Sequence, residues 1–431
     1  MAYNRRAGQR PQQQRQQKQH PHHKAAPKHS GKRTVHINDR EKLRYNGDGT
    51  VTRFTRKRER LFGVRAGLDL PFLLLVILLV IIGLVMLFSA SYYYAYQNQG
   101  SSFYFIIRQG IFAVLGVAIM FGISFIDYHV LHKLTIPILV ITWIMLIAAR
   151  ILPAVNGVHR WINLGLFSFQ PSEIAKFAMI LWLAHYVSVH FDRMRFARYG
   201  VLPNLIVLII TVGLVVIEPH FSATIIILLL AGIMLFIGGV KKRWFAAILI
   251  LLGVAAIIFF TIGGSYATDR LSGWLNVLDY VNPDQWQETW QTRNSLYAIG
   301  SGGFFGLGLG QSHQKYLWLP EPQNDFIFAI ICEELGFIGA MLIIALFILL
   351  IWRGIKIALR AKDKFGMLLG VGISLQVGLQ TMLNIGVVTN TLPNTGISLP
   401  FFSYGGTSLI ILLAQMGIVL SISRSSSIEK V

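Results

Sequence analysis

"LPFLLLVILLVIIGLVMLFSA", residues 70–90, runs for 21 positions without a charged side chain. An α-helix rises about 1.5 Å per residue, so about 20 apolar residues cross the roughly 30 Å hydrocarbon layer of a bilayer. This stretch therefore reads as a membrane helix. Comparable runs recur near 106–126, 134–152, 171–188, 203–217, 222–238, 244–262, 327–352, 366–387 and 406–422. Only "EPHF" separates the fifth span from the sixth. Of the 431 residues, 54% are hydrophobic and 13% charged, too few polar groups to cover a water-facing surface. The expected fold is all-α: a polytopic membrane protein of about ten transmembrane helices.

Basic residues orient it. Lys133, then Arg193, Arg195 and Arg198, then Lys241, Lys242 and Arg243 fall in alternate loops. Arg353, Lys356, Arg360, Lys362 and Lys364 continue the series, and Arg424 and Lys430 close it. The positive-inside rule makes those loops and both termini cytoplasmic. The large extracellular loop is then 263–326, with three basic and six acidic residues.

The net charge of +20 is concentrated in residues 1–67, which hold 18 of the 39 Lys and Arg but four of the 19 acidic residues. This head, rich in Gln, His, Pro and Lys, is expected to be a disordered basic cytoplasmic tail. A tail lying on an anionic leaflet accounts for its charge better than nucleic-acid binding does. Its polar start also excludes a cleaved signal peptide. The ten-helix domain is expected over 68–424, with a short cytoplasmic C-terminus at 425–431. The single cysteine, Cys332, lies in an apolar run, so neither an internal disulfide nor a cysteine metal cluster can form.

Two motifs mislead. "LPNTG" (392–396) imitates a cell-wall sorting signal, but nine spans precede it, and Pro400, Gly405 and Gly406 break the run that follows. "GGFFGLGLG" (302–310) lacks the strand–turn–helix setting of a dinucleotide loop.

Ionisable residues at membrane depth are expensive and face a bundle interior or a cavity. Arg108, Glu173, Lys176, Glu218, Glu333 and Glu334 qualify, with Asp325 at the outer edge. Glu173 and Lys176 are three apart, so they share a helix face and can pair structurally. Asp325, in "LPEPQNDFIFAIICEELG" (319–336), stands where a loop meets a helix start, which suits both an N-cap and a base. Lys315, Arg270 and Arg293 share its loop, and a carboxylate beside cations at headgroup depth suits chemistry on a lipid pyrophosphate. Glu333 lies about 80° round the helix from Asp325, and Glu334 nearly opposite. These two are read as supporting polar groups, and no metal site is assigned.

"FSFQPSEIAKFA" (167–178), "GLGLGQSHQKYLWLPEPQNDFIFAIICEELGFIGA" (306–340) and "LPNTGISLPFFSYGGTSL" (392–409) together resemble the SEDS (shape, elongation, division, sporulation) family. The likeness runs from "LFSAS" (87–91) through the tenth span and omits the basic head. It is closer to the FtsW/SpoVE branch than to the RodA branch. The resemblance implies a peptidoglycan glycosyltransferase that polymerises lipid II on the outer face of the cytoplasmic membrane, at the division septum on the branch reading. It also implies a class B penicillin-binding protein and other divisome membrane proteins as partners, and an essential acid at Asp325. "GVHRWINLG" (157–165) matches the family's "RWI" motif and places Arg160 and Trp161 beside the outer cavity. Arg160, Lys315 and Arg270 become candidate grips on the diphosphate of undecaprenyl-pyrophosphate-linked glycan, with Ser403 a further substrate-binding candidate. A divalent cation, Mg or Mn, could share that charge, though no ligand set for it shows in the sequence. One departure stands out: the family's "QPDLGTA" reads "EPHFSAT" here (218–224), with His220 at the acid's position. The rival readings are a lipid II flippase, which the apparent lack of a repeat between halves disfavours, and a scaffold without catalysis.

Overall fold

The structure is a computed structural model that describes residues 34–38, 41–45, 51–55, 67–153, 159–163, 168–218, 220–246, 274–278 and 284–426. The chain divides into two compact units, residues 1–59 and 60–431. In the first, β1 (Thr34–Asn38), β2 (Glu41–Tyr45) and β3 (Val51–Thr55) form an antiparallel meander. Thr34 pairs with Arg44 and Glu41 with Thr55. This corrects the expectation of a head disordered throughout. "TVHIN", "KLRY" and "VTRFT" alternate β-branched or aromatic residues with polar ones, and "NGDG" lies between the second and third runs. The average composition of the head hides that local pattern.

The second unit is helical. Its elements are α1 (Leu70–Gln99), α2 (Tyr104–Ser124), α3 (His129–Ile151), α4 (Pro171–His190), a short α5 (Ala197–Gly200), α6 (Leu202–Ile217) and α7 (Phe221–Ile237). Then come α8 (Asp284–Gly302), α9 (Ile327–Leu359), α10 (Lys364–Val388) and α11 (Gly406–Ser426). A two-residue hairpin pair, β4 (Ile162–Asn163) and β5 (Ser168–Phe169), precedes α4. Among the described residues eight helices are long and apolar enough to cross a membrane, counting α5 with α6, and α7 is a shorter apolar helix of 17 residues. The expected span at 244–262 lies almost wholly outside the described residues. The protein is an all-α, multi-pass membrane protein.

Sequence explains the helix ends. The Asp69 carboxylate accepts from the Phe72 amide and caps α1, and Asp363 does the same for α10 through Gly366. Pro71, Pro171 and Pro203 sit in first turns, where a missing N–H costs nothing. Lipid gives helices no hydrophobic reason to associate, so close contact depends on small residues. Gly116 of α2 meets Leu413 of α11, and Gly417 of α11 meets the Met120 backbone. Arg353 of α9 makes a two-pronged ion pair with Asp69, 3.0 and 2.8 Å, tying α9 to the start of α1.

One helix is broken. α9 has 33 residues, about 50 Å at 1.5 Å each, longer than a bilayer core requires. Gly336 interrupts it at φ 67° and ψ −170°, a conformation that suits glycine. The break frees backbone groups, and residues 303–308 take them up. Leu307 and Gly308 amides donate to the Glu333 and Glu334 carbonyls, while Phe337 and Ile338 amides donate to Gly303 and Phe304. Irregular backbone at this depth is tolerable because protein satisfies it.

Candidate active site

Asp325 sits two residues before α9. Its carbonyl accepts from the Asn384 side chain of α10 at 2.7 Å, and the same amide reaches the Ile397 carbonyl at 2.5 Å. Asn384 thus fastens the Asp325 turn to the strap of residues 395–403 between α10 and α11. Gln380, one turn earlier on α10, holds the Ser398 carbonyl and hydroxyl. Ser403 folds back to accept from the Leu399 amide at 2.7 Å, and the Tyr404 amide donates to the Gln323 carbonyl. Ser222 of α7 donates to the Thr395 and Gly396 carbonyls. Gly396, at φ 68°, lies so close that a Cβ there would be 3.2 Å from Asp325 Oδ2.

The backbone of Asp325 is therefore held by Asn384, with the 395–403 strap packed beside it. Its carboxylate is not: among the described residues no hydrogen bond is made to it, and it keeps a partial opening to the surface. Burial of the group and repulsion from Glu321 push its pKa up to about 6, against the pull of Arg160. A carboxylate with no fixed partner and a proton affinity close to neutral is suited to general-base work.

Arg160, from the strand-like strap 159–163, exerts its charge on Asp325, Glu218 and His220 alike. Lys176 pairs with Glu173 at 2.8 Å and donates to Gln380 at 3.0 Å, linking α4 to α10. Ser403 and Glu173 help to line a small cavity whose polar side is made by Gln376, Gln380, Ser398 and Gln415.

Lys315 is where the sequence reading needs correcting. The ammonium is 0% exposed and pairs at 2.8 Å with Glu334, itself buried. Ser89 of α1 donates to both Glu334 oxygens at 2.7 and 2.6 Å. A lysine enclosed in that way is a structural counter-ion and cannot grip a diphosphate. Glu333 accepts from the Ser312 hydroxyl and, at 2.8 Å, from the His313 amide. Both glutamates pin the 307–316 segment to the broken helix. Arg293, too, is turned inward, to the Val277 carbonyl and Thr289. Arg270 lies outside the described residues. Among the described residues no three His, Cys, Asp or Glu side chains converge as a metal site.

Several residues of the site had not been singled out. Gln380 and Asn384 are four apart on one helix face, polar side chains in an apolar run, and that spacing was a usable signal. Gly396 was visible only as part of a motif.

The geometry describes a multi-pass membrane protein with the carboxylate of Asp325 left uncommitted at the end of its bundle. Over residues 69–428 the chain matches the FtsW/RodA/SpoVE family of cell cycle proteins, and it belongs to that family. Stage V sporulation protein E of Bacillus subtilis (strain 168) is 40% identical over 362 residues, covering 83% of this chain and 97% of that protein. A probable peptidoglycan glycosyltransferase FtsW of Trichlorobacter lovleyi is 37% identical, covering 83% and 93%. A chain solved in a study of the structural coordination of polymerization and crosslinking by a peptidoglycan synthase complex superimposes with a TM-score of 0.69. It is 26% identical, and the match covers 84% of this chain and 99% of that one. The rod shape determining protein RodA of Thermus thermophilus gives 0.61 at 26% identity, covering 84% and 98%.

Proposed function

We propose that this protein is a peptidoglycan glycosyltransferase that polymerises lipid II into β-1,4-linked glycan, with Asp325 as the general base. The observation that carries the assignment of the base is the Asp325 carboxylate itself: backbone fixed by Asn384, side chain without a fixed hydrogen bond, proton affinity raised. Relatives named as peptidoglycan glycosyltransferases, aligned over most of the chain, support the reaction class.

The reaction asks little else of the protein. Asp325 takes the proton of the acceptor sugar's 4-hydroxyl as that oxygen attacks the anomeric carbon of the donor. The bond from that carbon to the diphosphate oxygen breaks, and undecaprenyl pyrophosphate leaves with the bonding pair. One displacement converts an α-linked donor into a β-linked product. Arg160, whose charge acts on Asp325, is the cation that meets the departing charge. Basic loops place the Asp325 end of the bundle outside the cytoplasm and both termini inside. A class B penicillin-binding protein is the crosslinking partner, in keeping with the peptidoglycan synthase complex to which the fold is similar. Likeness to FtsW and SpoVE proteins favours a role at the septum.

The test is glycan polymerisation from lipid II by the purified protein with its transpeptidase partner, wild type against Asp325→Ala. Polymer from the wild type and none from a folded variant is the expected outcome. Equal polymer from both removes Asp325 as the base. No polymer from either, with lipid II crossing vesicles intact, points to transport instead.

A further inference from the structure

Glu218 closes α6 and His220 precedes α7, on the side of the bundle where Ser222 reaches the 395–396 strap that touches Asp325. Glu218 is 0% exposed, and neither of its carboxyl oxygens has a hydrogen-bond partner among the described residues. The Nε of Arg160 is likewise buried without one. Such groups are rare in folded proteins because each costs roughly 1–3 kcal/mol, so two of them within electrostatic reach of each other call for a ligand.

The surroundings narrow the chemistry. Arg160 is the charged group whose field acts on Glu218. On its own turn, His220 is kept neutral by burial and by the charges of Arg160 and Lys176, and its Nδ1 lies 2.8 Å from the Ser172 hydroxyl. On α4, which packs against α6, Lys176 is already paired with Glu173. Arg150 closes α3, which also packs there, with an exposed side chain. Burial raises the Glu218 pKa to about 8 against the pull of Arg160, so at neutral pH the carboxyl keeps its proton. A protonated carboxyl beside a guanidinium offers an O–H and several N–H donors to one acceptor. Phosphoryl oxygens are the acceptors that match.

We propose that Glu218 is a diphosphate-binding residue, donating its carboxyl proton in a hydrogen bond to the donor substrate's diphosphate beside Arg160. This rests on the glycosyltransferase reading, in which a diphosphate enters and leaves the site. An ionised Glu218 would repel the same group, so binding weakens as the pH rises through the point where Glu218 loses its proton. Glutamine, the residue of the family pattern at this position, supplies an N–H donor that does not ionise.

The experiment uses the full chain with its transpeptidase partner and inorganic pyrophosphate as the probe. Inhibition of lipid II polymerisation by pyrophosphate is measured from pH 6.5 to 9.5 for wild type, Glu218→Gln and Glu218→Ala. The ionisation of pyrophosphate itself is common to all three, so each variant is read relative to wild type. Glu218→Gln is expected to bind within about threefold of wild type at pH 7, and to gain at least about tenfold over it by pH 9.5, a shift set by one lost proton per site. Glu218→Ala is expected to bind about tenfold more weakly at pH 7, the worth of one good hydrogen bond. Parallel pH curves for wild type and Glu218→Gln overturn the proposal, as does unchanged binding in Glu218→Ala or a wild type that pyrophosphate does not inhibit. Pyrophosphate binding to Asp325→Asn, followed calorimetrically, separates the two claims. If that variant polymerises normally the base assignment fails while the Glu218 result stands.

Discussion

The segment 327–335 carries carboxylates at or beside both ends, and the two ends are built in opposite ways. At one end Asp325 has its backbone clamped while its carboxylate is left without a fixed partner. At the other, Glu333 and Glu334 are each held by several donors, among them Ser89, Ser312, the His313 amide and the Lys315 ammonium. One end, on the proposed reading, presents the base, and the other splices a broken helix. Three acids in one short stretch of sequence thus fall into two settings, one unpartnered among the described residues and two fully bonded.

That contrast can be broken most sharply at Asp325. Asp325→Asn is expected to lower polymerisation by about 10²–10⁴-fold, the usual worth of a positioned general base. It is also expected to raise thermal stability slightly. An acid whose folded pKa lies above its unfolded value opposes folding once ionised, so removing the charge helps at neutral pH. A variant that loses stability and activity together would blur the two ends. Glu334→Ala should do what Asp325→Asn does not, costing about 3–5 kcal/mol in stability by leaving the Lys315 charge buried and unpaired. Replacing both partners, as Lys315→Met with Glu334→Gln, should recover much of that loss in thermal unfolding.

A smaller effect is expected at Gly396. Gly396→Ala places a methyl 3.2 Å from Asp325 Oδ2 at φ 68°, a strain of about 1–3 kcal/mol, and should depress turnover more than lipid II binding. Subtlest of all is the acid limb of the pH–rate profile. The base works when ionised, so the rate should rise with pH through about 6. Glu321→Gln removes a repulsion and should move that limb to lower pH; Arg160→Gln should move it higher. Limbs that stay in place would remove Asp325 as the titrating group.

Much of this was legible before any coordinates. Apolar length alone marks the spans, since membrane helices need only be long and greasy. Asp325 was legible because a carboxylate at a loop–helix junction is conspicuous against that background. Lys315 was misread for a reason of geometry: its partner, Glu334, lies 19 residues on and meets it only through the packing of the 307–316 segment against α9. Neither spacing nor composition encodes that meeting. The strands at 34–55 were lost by averaging over a head whose Arg, Lys and Gln dominate the count. The strap beside Asp325 depends on Asn384 and Gln380, whose four-residue spacing marks a polar helix face, while the strap carbonyls they hold leave no trace in the sequence.

Cys332 stands on that same segment, 7% exposed and the single cysteine of the chain. A thiol reagent reaches it when the segment opens, so the rate of labelling is a clock for local unfolding at the junction between the two ends. Because no second cysteine competes, that clock runs in the unmodified protein. Substrate that orders the Asp325 end should slow it, whereas loss of the Lys315–Glu334 pair should speed it, giving each end its own kinetic signature at one sulfur.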